Sequence, residues 1–290
     1  MDIQEIVFPV DFSERSVDVC PYVAAVTQRF GAKLTLLHVI EKPSPADSAS
    51  DQLSPEQATD VEQRRQRSVE AITAFQRQYI PHIDSEVCVL AGDPATEIVA
   101  HAGESGRKMI LMPTRGYGPF RQMLIGSVTA KVLHDAKCPV LTGPHLEKAI
   151  QATEWFSLRR ILCAVSLNWE TDGLLKRSSE LARALGLELT AFHVISPMEE
   201  GMLPLVHPSA PPLSTAAARS TLQQALHKAG GVGGVCVTIG EVSREVARGA
   251  RAHNADLVVI GRGGAPDVPG RLGSHAYAIV RRAPCPVLCI

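Results

Sequence analysis

Short, continuously apolar runs alternate with longer stretches of mixed polarity along the whole chain. The runs IVFPV, KLTLLHV, SEVCVL, KMILM and CPVLT lack polar alternation, which is typical of parallel strands covered on both faces. The stretches between them have the apolar spacing of helices. This order of strands and helices predicts an α/β fold built on a doubly wound parallel sheet.

Residues that begin and end helices support this interpretation. Ser13 precedes the first helical stretch and Gly31 follows it, while SPE (54–56) and GDP (92–94) each supply a first-turn proline after a capping residue. Pro21 conflicts with one continuous first helix, which we expect to start late or to kink there. The second helix is expected to bury one face, made of Val61, Ser68, Ile72, Phe75 and Tyr79.

The pattern occurs twice. FGAKLTLLHVI (30–40) resembles LGLELTAFHVI (185–195), and VLAGDPATEIV (89–99) pairs in the same order with VTIGEVSREVA (237–247). Each copy is about 145 residues long, which is enough chain for one domain.

The repeat predicts the domain organisation. We expect two tandem domains, residues 1–146 and 158–290, joined by a linker at 147–157. Two similar domains in tandem can pack as a pseudo-symmetric pair, so we expect the two halves to contact each other.

Composition narrows the classes of function. Of the 290 residues, 45% are apolar and 20% charged, and the formal net charge is −1. This balance suits folded domains and gives no basic field for nucleic acid or an anionic membrane. The first residues lack a secretory signal pattern, and no apolar run reaches the roughly 18 residues that span a bilayer. Seven cysteines without CxxC or HExxH spacing indicate a reduced protein with no metal site. We expect a soluble, cytoplasmic chain whose partner is neither nucleic acid nor a membrane.

Three segments of the first half converge in the predicted sheet. Ligands of open parallel sheets bind beyond the carboxyl ends of the strands, where the strand order reverses. Pro9, Val10 and Asp11 follow the first strand, Val39 ends the second, and a glycine-containing loop follows the fourth. This convergence predicts a binding site.

The loop RGYGPFRQMLIGSVT (115–129) has features of an anion site. Gly126 directly precedes a helix, so three backbone N–H groups lack intrahelical partners and point outward, those of Ser127, Val128 and Thr129. The Ser127 and Thr129 hydroxyls could add hydrogen bonds. The alternative stays open that the glycine is ordinary turn geometry and that Ser127 is a simple N-cap. The loop is neither a Walker A motif, since no lysine follows the glycine, nor GxGxxG.

Charged and strand-end residues complete the candidate site. Arg115 or Arg121 could supply positive charge to a phosphate. Asp11 is placed to accept from a ribose hydroxyl, and the backbone of Val39 could read an adenine edge. His38 occupies the same place in the repeat as His193, and we interpret both as packed residues rather than catalysts.

Five features of the chain form a combined pattern: the opening IVFPVDFSERS, the strand GAKLTLLHV, the helix start GDPATEI, the loop spacing before Gly126-Ser127 and the closing CPVL. Together they resemble the universal stress protein family, in its tandem two-domain form. The resemblance covers nearly the whole chain. It implies two Rossmann-like domains of the adenine nucleotide alpha-hydrolase type, each a five-stranded parallel sheet flanked by about four helices. Nucleotide-binding members of this family hold ATP or AMP at the aspartate, the valine and the glycine loop, whereas other members bind none. Members are cytoplasmic, often dimeric and connected with survival under stress.

In the first half the family pattern is matched by Asp11, Val39, Gly116, Gly126 and Ser127, but Pro113 stands where the first glycine of the loop is expected. Proline removes a backbone donor and fixes φ. The cofactor-binding candidates of this half are Pro9, Val10, Asp11, Val39, Met112, Pro113, Arg115, Gly116, Gly126, Ser127, Val128 and Thr129.

The second half matches less well. Ser166 replaces Asp11, and the loop that follows contains Pro266 and Pro269, which stiffen it, and Asp267, which would repel phosphate. The weaker candidates of this half are Val165, Ser166, Val194, Gly261, Gly264, Gly273 and Ser274.

Three hypotheses for function follow. The first is a stress-response regulatory protein that binds an adenine nucleotide, ATP or AMP with or without Mg²⁺, in at least its first half and does not catalyse fast turnover. The second is a structural or interaction protein of the same fold that binds no nucleotide and acts through an unknown protein partner. The third is a slow ATPase, since neither a base nor a Mg²⁺ carboxylate is evident. A homodimer is compatible with each.

Overall fold

The computed structural model describes residues 1–41, 55–104, 106–114, 125–143, 158–196, 214–263 and 273–290. The expected linker at 147–157 and the expected N-cap Ser54 lie outside these residues.

The first half alternates strands and helices as expected. Its elements are β1 (Glu5–Pro9), α1 (Glu14–Asp18), α2 (Cys20–Phe30), β2 (Lys33–Glu41), α3 (Pro55–Tyr79), β3 (Ser85–Gly92), α4 (Pro94–Ala102), β4 (Lys108–Leu111), α5 (Ser127–Asp135) and β5 (Val140–Thr142).

The second half repeats the alternation. Its elements are β6 (Arg160–Val165), α6 (Thr171–Leu185), β7 (Glu188–Ile195), α7 (Thr215–Lys228), β8 (Gly233–Ile239), α8 (Val242–Ala252), β9 (Leu257–Ile260), α9 (Ser274–Arg282) and β10 (Val287–Cys289).

The strands of the described residues form a single 10-stranded sheet in the order β3-β2-β1-β4-β5-β10-β9-β6-β7-β8. Pairing is parallel within each half, and the prediction of an α/β fold with a doubly wound parallel sheet in each half is confirmed. The two halves join where β5 pairs antiparallel with β10, with Thr142 opposite Val287. The sequence prediction of two sheets therefore needs one addition: the two sheets are continuous.

Hydrophobic packing also crosses between the halves. Two clusters of buried side chains cover the two faces of the sheet, and each contains residues of both halves, such as Met109 with Leu257 and Val132 with Val280. The halves therefore share their core.

The helix ends agree with most of the sequence signals. Ser13 caps α1, and Gly31 ends α2 in a left-handed conformation with φ 60°. The awkward Pro21 is accommodated because the helix breaks at Val19, so the proline falls in the first turn of α2. Asp93 caps α4 through the Thr96 amide.

The prediction of which residues form the buried face of α3 is partly wrong. Ile72 and Phe75 are buried, but Tyr79 is 36% exposed because it lies in the last turn of α3, at the edge of the packed face. Ser68 is half-buried, and the side chain of Val61 lies outside the described part of the chain.

Candidate functional site

A cavity of about 440 Å³, called here the first cavity, lies at the carboxyl ends of β1, β2 and β4. The topology accounts for its position, because β1 separates β2 from β4 and the chain crosses the sheet in opposite directions on either side of it. Its lining includes Pro9, Val10, Asp11, His38, Val39, Glu41, Ile98, Met112, Pro113, Gly126, Ser127, Val128 and Thr129. Segments that are distant in the sequence therefore meet at one opening.

The first turn of α5 faces this cavity without a side-chain cap. The N-cap residue is Gly126, which has no side chain to accept from the first N–H groups of the helix. Helix α4 differs, because Asp93 accepts from the Thr96 amide at 2.9 Å. Ser127 is exposed and is the first residue of α5, so it is not the N-cap that the alternative interpretation assumed. Uncapped N–H groups at a helix start favour an anion.

Thr129 has a structural role that the sequence did not reveal. It is 3% exposed, and its Oγ1 donates to the carbonyl oxygen of Pro113 at 3.1 Å. The Gly126 amide donates to the carbonyl oxygen of Thr114 at 2.8 Å and closes the loop beside it. In this structure the Thr129 hydroxyl proton is used within the chain, and a ligand contact of this hydroxyl stays a prediction.

Asp11 borders the first cavity and also organises the start of α1. Its Oδ1 accepts from the Ser13 amide at 3.0 Å and from the Ser13 and Ser16 hydroxyls at 2.6 Å each. The Asp11 side chain is nevertheless exposed, and its Oδ2 has no hydrogen-bond partner among the described residues. One oxygen is thus structural and the other is available to a ligand.

His38 and His193 hold equivalent positions in the two halves, beside the first strand of each half. The Nδ1 of His38 lies 2.8 Å from the carbonyl oxygen of Val10, and the Nδ1 of His193 lies 2.9 Å from that of Val165. A carbonyl oxygen only accepts, so Nδ1 carries the proton in both rings. The His38 ring also packs against Phe12, with ring centroids 4.7 Å apart.

The second half has a smaller opening of about 160 Å³, the second cavity, at the carboxyl ends of β6, β7 and β9. Its lining includes the candidates Val165, Ser166, Val194, Gly261 and Gly273. Glu170, which sequence reasoning missed, crosses to the glycine segment: its Oε2 accepts from the Gly263 amide at 3.1 Å. A carboxylate of the chain therefore occupies the side of the cavity where an anion was expected.

Arg262 also lines the second cavity, but its guanidinium binds carbonyl oxygens of the first half. Its Nη1 donates to the carbonyl oxygen of Leu133 at 2.9 Å, and its Nη2 to that of Cys138 at 2.5 Å. Burial lowers the pKa of the Arg262 guanidinium, but the usual pKa of arginine is so far above neutrality that the group stays charged. Its charge serves the contact between the halves.

The charge around the first cavity comes from carboxylates and from the helix. Its described lining contains Asp11 and Glu41 but neither lysine nor arginine. Positive potential therefore arises from the N-terminus of α5, and any further cation must come from outside these residues.

Several candidates cannot be placed. Arg115, Gly116, Arg121, Gly264, Pro266, Asp267 and Pro269 lie outside the described residues, as does the side chain of Ser274. Within the described ranges, no group of three or more His, Cys, Asp or Glu side chains could hold a metal ion. In the same part of the chain no helix has the length and apolar character needed to cross a membrane.

The repeated parallel sheets, each with a cavity at its carboxyl edge, define a Rossmann-like α/β protein. The family model described as "Universal stress protein family" matches residues 2–142 and 157–290, and the chain belongs to that family. The resemblance seen in the sequence is confirmed.

Individual relatives agree with this assignment. The chain is 30% identical over 137 residues to a universal stress protein of Bacillus subtilis, covering 45% of this chain and 90% of the relative. A solved universal stress protein from Archaeoglobus fulgidus superposes over 98% of this chain and 95% of its own, with a TM-score of 0.67 and 23% identity, and so shares the fold. Another solved universal stress protein from that organism, in complex with dAMP, covers 46% of this chain and 97% of its own at 23% identity. The TM-score of that superposition is 0.34.

Proposed function

We propose that the first half binds an adenine nucleotide, ATP or AMP, and that the protein acts as a nucleotide-responsive regulator in the stress response without fast catalysis. The observation that supports this most is the first cavity, in which the uncapped start of α5 meets Asp11 and the end of β2. Its volume of about 440 Å³ is within the usual range for small-molecule sites.

Each part of the cavity suits one part of the ligand. The Ser127 and Val128 amides and the Ser127 hydroxyl would bind phosphate at the helix start. The free Oδ2 of Asp11 would accept from a ribose hydroxyl. The backbone of Val39 would contact the base edge, with Met112 and Ile98 as apolar wall. Pro113 supplies no N–H, so the phosphate contacts depend on α5 and on the residues of the loop before it.

A second candidate is an interaction protein that binds no nucleotide. It is favoured by the two carboxylates, Asp11 and Glu41, in a described lining without a basic side chain, since like charges oppose a phosphate. For both candidate functions we propose that the protein is cytoplasmic and forms homodimers.

The test starts with the full chain, purified gently without added nucleotide and analysed by native mass spectrometry. A retained mass of ATP or AMP, or a rise in the melting temperature with millimolar ATP, is the expected result. Asp11→Asn should weaken binding because it removes the charge but keeps an acceptor for Ser13 and Ser16. Asp18→Asn, an exposed carboxylate at the end of α1, is the matched control and should bind as wild type.

Two outcomes would contradict the proposal of a nucleotide-binding regulator. The absence of both a retained nucleotide and a thermal shift would favour the interaction protein. Phosphate release from ATP at several turnovers per second, lost in Asp11→Asn, would identify an ATPase instead.

A further inference from the structure

A thiol, an imidazole and a carboxylate lie in a row beneath the last turn of α4. The Sγ of Cys88 on β3 is 4.0 Å from the Nδ1 of His101 on α4. The Nε2 of the same ring is 3.6 Å from the Oε1 of Glu5, at the start of β1. None of the three is part of the described lining of either cavity. A nucleophile beside a base that a third group orients is an arrangement that activates cysteine in proteins.

Glu5 supplies a negative charge to this row. Its Oε1 accepts from the Thr35 hydroxyl at 2.9 Å, and its Oε2 lies 3.0 Å from the Nζ of Lys108. Burial opposes the charge, but the hydrogen bonds from Lys108 and Thr35 hold the pKa of the Glu5 carboxyl below its usual value. The Nε2 of His101 is buried and has no hydrogen-bond partner within the described residues. A proton on Nε2 is favoured by the nearby carboxylate, and Nδ1 is then the acceptor beside the thiol.

Cys88 is one of two cysteines that are not fully buried. Among the seven cysteines, Cys88 and Cys236 are half-buried and the other five are buried. Cys88 lies on β3, which is an edge strand of the sheet. A small reagent therefore has a shorter way to Cys88 than to the thiols of the core.

The Cys88 thiol needs a base before it can react. Burial raises its pKa. Two cations, Arg65 and Lys108, lower the pKa in part, and two carboxylates, Glu5 and Glu86, raise it. The group is therefore a protonated thiol near neutral pH, whereas the nucleophile in disulfide exchange is the thiolate. The imidazole at 4.0 Å is the base within reach, since such contacts are often long in a resting protein and tighten when the reactant binds.

The second half keeps the thiol but not the rest of the row. By the repeat, Cys236 is the counterpart of Cys88, whereas Gly249 replaces the histidine and Arg160 replaces the carboxylate. A methyl group on Gly249 would come within 2.5 Å of the Phe192 ring, so an aromatic side chain packs against this position. Cys236 is therefore a natural control, a half-buried thiol on the equivalent strand without the histidine.

We propose that Cys88 is a modification site that undergoes exchange with low-molecular-weight disulfides, with His101 as its base. The Nδ1 of His101 accepts the thiol proton, and the resulting thiolate attacks one sulfur of the disulfide. The S–S bond of the disulfide breaks as a new one forms to Cys88, and the leaving thiolate takes the proton from the imidazolium. The products are a mixed disulfide on Cys88 and one free thiol. The site lies outside the first cavity and does not depend on nucleotide binding.

The reactivity of the two half-buried thiols can be measured with dithiodipyridine, an uncharged disulfide that releases an absorbing thione. The Cys236→Ser chain retains Cys88, and the Cys88→Ser chain retains Cys236. Near neutral pH the first chain should react about 100-fold faster, at the lower end of what a positioned base contributes. Equal rates in the two chains would overturn the proposal.

Substitutions of His101 test its role as the base, in the chain that carries Cys236→Ser. His101→Gly, which introduces the residue of the second half, should slow exchange about 100-fold, and imidazole added to the solution should restore part of the rate. His82→Gly, at an exposed position, is the matched control and should react as the parent chain does. If His101→Gly does not fold, His101→Gln fills the space without supplying a base. An unchanged rate in the variant that folds, or a His101→Gly rate that imidazole does not raise, would contradict the assignment.

Glu5 is a positioning residue in this scheme, because it acts on the thiol through the imidazole. Glu5→Gln keeps the shape of the side chain and removes its charge. It should slow exchange about tenfold where His101 is present and leave the rate of His101→Gly unchanged, as expected of two groups that act in series. Equal slowing in both backgrounds would remove Glu5 from the scheme.

The modification itself can be located with oxidised glutathione as the disulfide. After incubation of the wild-type chain, mass spectrometry of its peptides should find the mixed disulfide on Cys88, and dithiothreitol should remove it. Modification of Cys236 to the same extent, or none at Cys88, would overturn the assignment. No nucleotide is needed for this readout, so its failure is distinguishable from a failure of nucleotide binding in the first cavity.

Discussion

Arg262 donates to the carbonyl oxygen of Leu133 at 2.9 Å and so connects the glycine segment of the second half to the last turn of α5 in the first. Helix α5 begins at the first cavity, at Ser127, and ends at this contact. The first half makes no equivalent contact to the second through the matching residue. Thr114 is the counterpart of Arg262 in the repeat, since the carbonyl oxygen of each accepts from the amide of the glycine that precedes the next helix. The threonine side chain is too short to cross to the other half.

We expect Arg262→Met to lower the free energy of unfolding by about 1–3 kcal/mol, because it leaves the carbonyl oxygens of Leu133 and Cys138 without this donor. Urea denaturation followed by circular dichroism measures the change. Arg281→Met, in the exposed part of α9, serves as the control and should stay within about 0.5 kcal/mol of wild type. Equal stability of the two variants would mean that the contact does not hold the halves together.

Local signals explain how much of this fold could be predicted. The caps at Ser13 and Gly31 and the apolar strands are encoded within a few residues, and the repeat supplied each signal twice. The break at Val19 was also foreseeable, because a proline in a helix interior lacks an N–H and clashes with the preceding turn.

The contacts around the two cavities join residues that are far apart in the sequence, and a local sequence pattern cannot predict such pairs. Glu170 and Gly263 are separated by 93 residues and Arg262 and Leu133 by 129, so only the three-dimensional fold brings them together. A nearer signal existed for Asp11: an aspartate two residues before a serine often accepts from that serine's amide, as it does with Ser13.

At the start of α5, a substitution of Thr129 should lower stability, whereas a substitution of Ser127 should weaken nucleotide binding. Thr129→Val keeps the shape but loses the bond to the Pro113 carbonyl, so the free energy of unfolding should fall by about 1 kcal/mol. Ser127→Ala removes an exposed hydroxyl, so stability should stay near wild type while nucleotide affinity falls. Calorimetric titration with ATP, beside urea denaturation, distinguishes the two effects; a Ser127→Ala variant with unchanged affinity would remove this hydroxyl from the proposed site.

Stability should decline in alkali because of the buried thiols. Burial raises the pKa of Cys163, Cys285 and Cys289 to about 12, whereas an unfolded thiol has a pKa of about 8.5. The folded chain keeps protons that the unfolded chain releases in this window, so the free energy of unfolding falls as the pH rises above about 8.5. Each such thiol contributes at most about 1.4 kcal/mol per pH unit.

The pH effect can be measured by urea denaturation between about pH 8 and pH 10. Cys163→Ala should show a shallower decline than wild type, because it removes one of the titrating groups. Cys236→Ala, at a half-buried position on β8, is the control for the loss of a thiol as such. A Cys163→Ala slope as steep as that of wild type would show that this thiol does not retain its proton.

Two glycines in helices of the second half should respond to alanine in opposite directions. A methyl group on Gly249 of α8 would come within 2.5 Å of the ring of Phe192, a buried residue that also lines the second cavity. Gly249→Ala should therefore cost about 1–3 kcal/mol, as overpacking does, and should push the ring toward the cavity. Gly173 of α6 has no atom within 4 Å of such a methyl group, so Gly173→Ala should add roughly 0.4–1 kcal/mol by restricting the unfolded chain. Thermal unfolding of both variants measures the difference, and a destabilised Gly173→Ala would contradict the open environment described for that position.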